Sequence, residues 1–599
     1  MEKIILTIAP LLLSVMLNAQ NLQYTWADQF SNGPVPCTIS SFGRCLSHNT
    51  VDTVSIISAG VFQTTFPCGI DFDPGLGSVT YTSTVSPTSP SDMYISKIQD
   101  GNVLDWAIQI GGTGEETPTS IISNGTHIFV TGYFTLTADF DPGAGVHSLT
   151  SAGGTDVFIA KYDLSGNYVW AKRIGGAGSD SAMSIAFDPI GGDLLVGGTF
   201  QGTVDFDPSA LTTNMTSTGP RDAFFCKYSS TICAVFMKKK IGGIGNESIS
   251  SITTDPSGNI AVCGYFETAD CDFDPGAGVA LPNSAYVGNR DAFVAKYNTV
   301  GTLIWERNFG TVLEDKLQEV IADASGNIYF VGGFGGGNIT FPTIPSTTIT
   351  NLTVAPFIHD IVLGSYNSAG TIKWVESYGS GSFDDAGVCI ALDDANHVYI
   401  SGYFQGTCDF DFSPSTASVV AANRDIYIAR YNKITGAYND VDAIQGPGMD
   451  RSLDICLYTP FSALYITGSY GGNIPSQTDF NTAPAFSNDL DAWSTQEINA
   501  FLARYNYSTL PLKVKASGEA VQHNSAYPNP TTGTLFIENM SKGSVAEIYN
   551  LNGENMGRWP AEGTTKQSMD ISHLADGFYF LKIINADGGS ATEKIILQR

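Results

Sequence analysis

One short segment recurs along most of this chain. It reads YISKIQ at 94–99, FIAKYD at 158–163, FFCKYS at 224–229, FVAKYN at 293–298, VLGSYN at 362–367, YIARYN at 427–432 and FLARYN at 501–506. Successive copies lie 64, 66, 69, 69, 65 and 74 residues apart. A fixed period of this length marks a repeat architecture, in which one unit cannot bury its own apolar faces and must stack on its neighbours. Two further marks keep the same register. An aromatic follows most copies (Trp106, Trp170, Phe236, Trp305, Trp374, Tyr438), with a glycine turn behind it such as Gly175-Gly176. A second strand ends in Gly-Tyr-Phe or a variant: TGYF at 131–134, GGTF at 197–200, CGYF at 263–266 and SGYF at 401–404.

Each period therefore reads as several short strands joined by tight turns. In FIAKYD, Phe158, Ala160 and Tyr162 share one face of the strand and Ile159 and Lys161 the other, because β side chains alternate. Radial stacking covers both faces, and closing the ring removes the free ends. Seven copies predict an all-β chain built on a seven-bladed β-propeller over residues 20–506. The period exceeds the roughly 40–45 residues of a WD-type blade, so extra loops or a fifth strand are expected. FIAKYD-LSGN-YVWAKR is a hairpin, yet the seventh copy has no aromatic strand behind it. Tyr24-Thr25-Trp26-Ala27-Asp28-Gln29-Phe30 matches the missing piece and is expected to close the last blade. The alternative is an open solenoid with a stray N-terminal strand and exposed edges.

Two motifs carry a resemblance over about residues 24–506. Asp-x-x-Gly-Asn-Ile-x-x-x-Gly at 255–264 and 323–332, with Asp-Ala-Phe-Val-Ala-Lys-Tyr at 291–297, resembles the seven-bladed repeats of secreted bacterial proteins (SBBP type) and more loosely the NHL repeats. The resemblance implies an architecture and no single activity.

The most distinctive recurring motif is Asp-Phe-Asp-Pro-Gly. It places Asp71 with Asp73, Asp139 with Asp141, and Asp272 with Asp274; variants hold Asp205 with Asp207 and Asp409 with Asp411. Asp at i and i+2 of a strand face one way, and Pro-Gly turns carbonyls outward, so these pairs are candidate calcium ligands. The competing reading is a turn device in which the carboxylates cap backbone N–H groups. A second acid recurs before the Lys-Tyr strand (Asp92, Asp156, Asp222, Asp291, Asp360, Asp425, with Asn499 last) and reads as a turn cap. Arg221, Arg290 and Arg424 precede three of these acids, either paired with them or forming a rim for anions. Lys97, Lys161, Lys227, Lys296, Arg430 and Arg504 read as a solvated or ion-paired face.

The two ends carry addresses. Lys3, the apolar run Ile4–Leu17 and Leu17-Asn18-Ala19 read as a secretory signal peptide over 1–19, cut between Ala19 and Gln20. No later stretch has the ~20 apolar residues of a membrane span. Ten cysteines suit an oxidising destination. The even count permits disulfides without assigning them; Cys37/Cys45, Cys226/Cys233, Cys263/Cys271 and Cys389/Cys408 are close in sequence or in repeat position, and the competing reading is buried small hydrophobes. Residues 507–525 read as a linker. Behind it, Tyr527-Pro528-Asn529-Pro530, Gly533, Gly553, Gly577, Tyr579 and Lys594 lie within YPNPTTG, EIYNLNG, DGFYFLKI and EKIILQR. These blocks, over 526–599, resemble the type A sorting domain of the type IX secretion system, expected to be a small Ig-like β-sandwich. That resemblance implies Sec export, passage through the type IX machinery, and a secreted or surface-attached product.

The formal charge of −29 disfavours nucleic acid and anionic lipid as partners, since both need clustered Lys and Arg. Evidence for catalysis is thin: seven His fall at unrelated repeat positions, and no GxSxG, HExxH or P-loop occurs. The favoured reading is a monomeric, non-catalytic binding or adhesion propeller, with a glycan or protein as ligand. The alternative is a surface polysaccharide hydrolase or lyase with acids converging at the channel mouth; an architectural surface protein is the third. A polar cluster unique to a few blades favours the enzyme, and evenly repeated loops favour binding.

Overall fold

The computed structural model describes most of residues 23–506 and 526–597; 1–22, 507–525 and short stretches within loops lie outside the described residues. The signal peptide, the Ala19–Gln20 cut, the linker, Pro528–Pro530 and Gly553 are therefore outside them. The chain divides into two compact units, Met1–Lys513 and Val514–Arg599. Every regular element among the described residues is a strand.

The larger unit is a β-propeller whose pairing traces a series of four-stranded antiparallel modules. The second holds Glu116–Ser123, His127–Phe134, Asp156–Asp163 and Tyr168–Gly176. The third holds Ser181–Phe187, Leu194–Phe200, Asp222–Tyr228 and Val235–Ile241, and the fourth Ser248–Thr254, Ile260–Phe266, Asp291–Tyr297 and Leu303–Phe309. The fifth holds Asp315–Ala322, Ile328–Gly335, His359–Tyr366 and Ile372–Tyr378, and the sixth Ala386–Leu392, His397–Asp409, Ser418–Asn432 and Tyr438–Ile444. The first, Ile39–His48, Ser55–Thr64, Asp92–Gln99 and Val103–Gly112, and the last, Arg451–Tyr458, Ala463–Gly471 and Ile498–Asn506, share one sheet. The fourth strand of the last module is Gln23–Phe30, antiparallel to Ile498–Asn506, with Tyr24 opposite Tyr505 and Ala27 opposite Ala503. The N-terminal strand thus completes the module that the C-terminal end of the propeller leaves short.

The core lies between modules rather than inside them. Phe158, Ala160 and Tyr162 pack with Ile57, Ala59 and Ile95 of the first module, whereas Val157 and Ile159 pack with Ile185, Val196 and Phe200 of the third. The last such cluster joins Ala463, Tyr465, Ala500 and Leu502 to Leu46, Ile56 and Phe62. Strands buried on both faces explain the near-continuous apolar runs of the repeat.

The remaining signatures fasten one module to the next. Trp106 Nε1 donates to the Leu164 carbonyl at 3.0 Å, Trp170 to Thr231 at 3.0 Å, Trp305 to Ser368 at 3.1 Å and Trp374 to Lys433 at 3.2 Å, each in the hairpin turn of the following module. The recurring acid is buried; Asp156 accepts from Ala152 N–H at 2.9 Å and Asp222 from Thr218 N–H at 2.8 Å, which is the expected turn cap. The glycine pair makes room for it. A Cβ on Gly175 would stand 2.2 Å from Asp156 Cγ, and one on Gly176 2.3 Å from the Thr203 carbonyl oxygen. The long period is accounted for by a small two-stranded ribbon between second and third strands, such as Thr137–Asp139 with Ser148–Thr150.

The smaller unit is a β-sandwich. One sheet holds Ala526–Tyr527, Thr534–Glu538 and Lys566–Asp570; the other holds Asn555–Pro560, Val545–Tyr549, Gly577–Ile584 and Ser590–Leu597. Leu535, Ile537 and Met569 from the first pack on Ala546, Ile548, Leu581 and Ile595 from the second.

Candidate functional site

The first strand of each module carries a β-bulge at the same place, between Gly43 and Cys45, Pro118 and Ser120, Ala182 and Ser184, Ile249 and Ser251, Leu317 and Glu319, Gly387 and Cys389, and Ser452 and Asp454. A bulge leaves its extra residue unpaired and re-aims the side chain. The residues beyond the bulge point at the next module. Ser120 Oγ accepts from Ile185 N–H at 3.2 Å, Ser184 from Ile252 at 3.2 Å, Glu319 from Ile390 at 2.7 Å and Asp454 from Leu46 at 2.7 Å. The last of these runs from the final module to the first. Burial pushes the Asp454 carboxyl up to about 7 and holds Glu319 well above its ordinary range, with Asp454 adding to the effect.

The skipped residues themselves differ from module to module. Arg44, Thr119, Met183, Ser250, Gln318 and Leu453 line one cavity of about 330 Å³, joined by Thr199, Arg221, Ser248, Tyr265, Arg290 and Lys316. This volume lies within the range of small-ligand pockets. Among the described residues the lining holds four cationic side chains and no carboxylate. Arg290 is already engaged: its Nη1 meets Glu314 at 2.6 Å, its Nε meets Glu267 at 3.5 Å, and its guanidinium lies 4.4 Å from the Tyr265 ring centroid. Among the described residues Arg44, Arg221 and Lys316 form no ion pair, and the buried Arg44 Nε has no hydrogen-bond partner. Burial, then Arg44 and Arg424, holds the Arg451 guanidinium below its ordinary value.

Acids at the start of the first strands are buried and tied to backbone. Asp180 accepts from Gly176 N–H at 2.7 Å, Glu247 from Gly243 at 3.1 Å, Asp315 from Gly335 at 3.0 Å and Asp385 from Ser380 at 2.6 Å. Burial raises them, to about 6, 8, 8 and 7 respectively. They hold the turns around the ring.

A second polar cluster occurs where the fifth module meets the sixth. Asp384 takes His359 Nδ1 at 2.8 Å, the Tyr403 hydroxyl at 3.1 Å and Arg424 Nη2 at 3.2 Å, and Arg424 lies 4.1 Å from the Tyr403 ring centroid. Against the effect of burial, His359, Tyr403 and Arg424 keep the Asp384 carboxyl below its ordinary range.

The candidate calcium ligands sit in the ribbons. Asp139 Oδ1 accepts from Asp141 N–H at 3.1 Å and His147 N–H at 2.7 Å. Asp71 does so with Asp73 and Val79, Asp205 with Asp207 and Thr213, Asp272 with Asp274 and Ala280, and Asp409 with Asp411 and Ala417. Asp141, Asp207, Asp274 and Asp411 each accept from the N–H two residues on. In this structure these carboxylates accept backbone N–H groups, the contacts that the turn reading expects of them. Among the described residues no three His, Cys, Asp or Glu side chains gather as a metal site. The Phe between the acids is buried, and its carbonyl accepts the hydroxyl of the repeat tyrosine: Tyr162 to Phe140 at 3.0 Å, Tyr228 to Phe206 at 3.2 Å, Tyr297 to Phe273 at 2.8 Å and Tyr431 to Phe410 at 3.2 Å. Two separate sequence signatures are thus one device.

Two open alternatives are narrowed and one expectation is corrected. Of the two readings of the Lys/Arg face, ion pairing is what the structure shows: Lys97 pairs with Asp105, Lys227 with Asp188, Lys296 with Asp255 and Arg430 with Asp440, and the buried Lys161 donates to the Ser230 carbonyl. The next module covers that face. Arg290 and Arg424 pair with Glu314, Glu267 and Asp384 rather than with the adjacent Asp, which faces the turn behind it. The described cysteines 45, 226, 233, 263, 271, 389, 408 and 456 are free thiols, all but Cys456 fully buried; Cys37 and Cys68 lie outside the described residues. Of the sorting motif, Gly533, Gly577 and Tyr579 are described, and the Tyr579 hydroxyl donates to the Ala575 carbonyl at 2.8 Å. Tyr527 and Lys594 lie in strands, and their side chains are outside the described set.

Known proteins place the chain as follows. Residues 525–598 match the family described as secretion system C-terminal sorting domain. An uncharacterized WD repeat-containing protein, L264, of Acanthamoeba polyphaga mimivirus is 23% identical over 274 residues, 41% of this chain and 19% of that protein. Regulatory protein FlaEY of Caulobacter vibrioides is 22% identical over 256 residues, 42% of this chain and 26% of that protein. The matched part thus spans about a quarter or less of either relative. Among solved structures, PorZ, a surface component of the type IX secretion system of Porphyromonas gingivalis, aligns at 9% identity and TM-score 0.24 over 93% of this chain and 81% of its own. The extracellular domain of BT4673 from B. thetaiotaomicron aligns at 12% identity and TM-score 0.14 over 97% and 99%. Scores this low carry no structural argument. No helix among the described residues is long and apolar enough to cross a membrane. Residues 525–598 belong to the sorting domains of type IX secretion, and the chain is an exported protein, secreted or held at the cell surface, whose larger unit is a β-propeller.

Proposed function

We propose that this chain is a seven-bladed extracellular binding protein that takes its ligand in the central cavity. One observation carries the reading: the repeat keeps its strands, caps and latches, and departs from itself at the cavity positions, where Arg44, Thr119, Met183, Ser250, Gln318 and Leu453 stand at one equivalent site. Fastening residues repeat because each interface needs them, whereas a ligand asks for a different group from each side. The Asp-Phe-Asp loops that recur in five modules support binding over catalysis, and among the described residues the cavity lining offers no carboxylate for general acid–base work. In this reading Sec removes residues 1–19, the type IX machinery exports the chain through its sorting domain, and the product acts as a monomer. The test is the mature chain from Gln20 on a glycan and protein array, with light scattering for its mass. A specific hit lost on substituting cavity residues is expected. Binding that ignores every cavity substitution, or release of sugar from a polysaccharide, refutes the reading.

A further inference from the structure

We infer that the cavity is an anion site, selective for a small hydroxylated ligand that carries a carboxylate or a phosphoryl group. This rests on the reading that the cavity is the binding site and names what enters it. The chain carries a formal charge of −29, with 58 acidic and 29 basic residues. Cations on such a surface can find carboxylates nearby, as Lys97, Arg173, Lys227, Lys240, Lys296, Arg424 and Arg430 do. Arg44, Arg221 and Lys316 converge on one concave space and, among the described residues, form none.

They come from separate modules. Arg44 lies on the bulge of the first, Arg221 just before the third strand of the third, and Lys316 on the first strand of the fifth. No local turn or hairpin requires a cation at these places, and their mutual repulsion opposes closing the ring. The buried Arg44 Nε, without a hydrogen-bond partner, is a donor directed at no group of the protein. The three unpaired cations at the cavity would make charge-assisted hydrogen bonds, among the stronger kind, to an oxyanion bound there.

The rest of the lining describes the remainder of the ligand. Ser250 and Gln318 offer hydroxyl and amide groups from two neighbouring modules, which suits a polyhydroxylated body. Tyr265, with Arg290 over one face of its ring, adds an aromatic group to the lining. Acidic sugars and sugar phosphates share this chemistry.

The test is calorimetric titration of the mature full-length chain with digalacturonate, with glucose 6-phosphate and with neutral maltose. At least one anionic probe should bind with one site per chain, and maltose at least tenfold more weakly. The better anion tells a carboxylate source from a phosphoryl one. Arg221→Gln with Lys316→Gln should weaken the anion at least tenfold while the melting temperature stays within about a degree. Lys172→Gln, outside the cavity lining, should leave it unchanged. Failure of both anions, maltose binding as well as either, or anion binding that survives the double variant overturns the inference. Maltose binding that the double variant abolishes would overturn the anion assignment alone and leave the cavity as a binding site.

Discussion

Replacing Gly175 with alanine probes the fastening of the second module. A Cβ there would sit 2.2 Å from Asp156 Cγ and 2.5 and 2.6 Å from its two oxygens. Ordinary contact needs about 3.5 Å, so the carboxylate must retreat by more than 1 Å. It cannot retreat freely, because Ala152 N–H at 2.9 Å and Arg173 Nη1 at 2.7 Å hold it in a buried site. Overpacking costs about 1–3 kcal/mol, and loss of a charge-assisted hydrogen bond about 1.5–3 kcal/mol. Together these span about 2.5–6 kcal/mol, with about 3–5 kcal/mol as the central range. With an unfolding entropy of roughly 2 cal/mol/K per residue, a unit of this size loses about 1 °C per kcal/mol, so Gly175→Ala should lower the melting temperature by about 3–5 °C. Calorimetry of the wild type, Gly175→Ala, Asp156→Ala and the double variant forms a cycle. With the acid gone, the alanine should cost under about 1 kcal/mol. Additive effects, or a neutral Gly175→Ala, would refute the contact as the reason for the glycine.

Tyr297→Phe removes the hydroxyl that meets the Phe273 carbonyl at 2.8 Å and should cost about 1–3 kcal/mol by denaturant titration, since a buried carbonyl loses its partner. Tyr366→Phe, in the module whose ribbon lacks the Asp-Phe-Asp motif, serves as the control and should cost less. Calcium at millimolar concentration, or EDTA, should leave the melting temperature unchanged, because the ribbon carboxylates already accept backbone N–H groups; a rise of several degrees with calcium would contradict the turn reading. Stability should fall as pH rises from about 5 to about 9. Glu247 and Asp315, both raised to about 8 by burial, hold protons in the folded state that the unfolded chain releases near pH 4. Their contribution is complete below about pH 4 and is lost as pH passes through 8. Asp188 and Asp255 act in the opposite sense below about pH 4: despite burial, hydrogen bonds from Lys227 and Lys296 hold them low. A melting temperature that rises between pH 5 and 9 would contradict this balance.

Much of the propeller is legible in the chain, because whatever fastens each module to the next must recur. The third strand, the Trp latch, the glycine pair and the Asp before Lys-Tyr all stand at fixed register, and the closing strand shows as a missing copy at one end matched at the other. The cavity is not legible for the same reason. Arg44, Met183 and Gln318 share a position without sharing a chemistry, so no recurrence marks them. Their inward direction depends on a bulge that only strand pairing shows. For Lys161 a strand alone leaves a solvated and an ion-paired face open, because it does not say that the next module covers its second face. In the C-terminal unit the apolar alternation of Leu535–Ile537 and Phe578–Ile583 is plain, whereas Asn555–Pro560 and Lys566–Asp570 are too polar to read as strands and are recognised by their partners.

The ring closed head to tail underlies every other statement, and cross-linking tests it directly. Ala27 and Ala503 are register partners of the antiparallel pair, whereas Leu502 is opposite Asp28, one residue out of register with Ala27. Ala27→Cys with Ala503→Cys, expressed in the mature chain and oxidised, should form an intramolecular disulfide in high yield, read by mass spectrometry. Ala27→Cys with Leu502→Cys should not. Equal yields in the two variants, or no cross-link in the first, would contradict closure by the N-terminal strand.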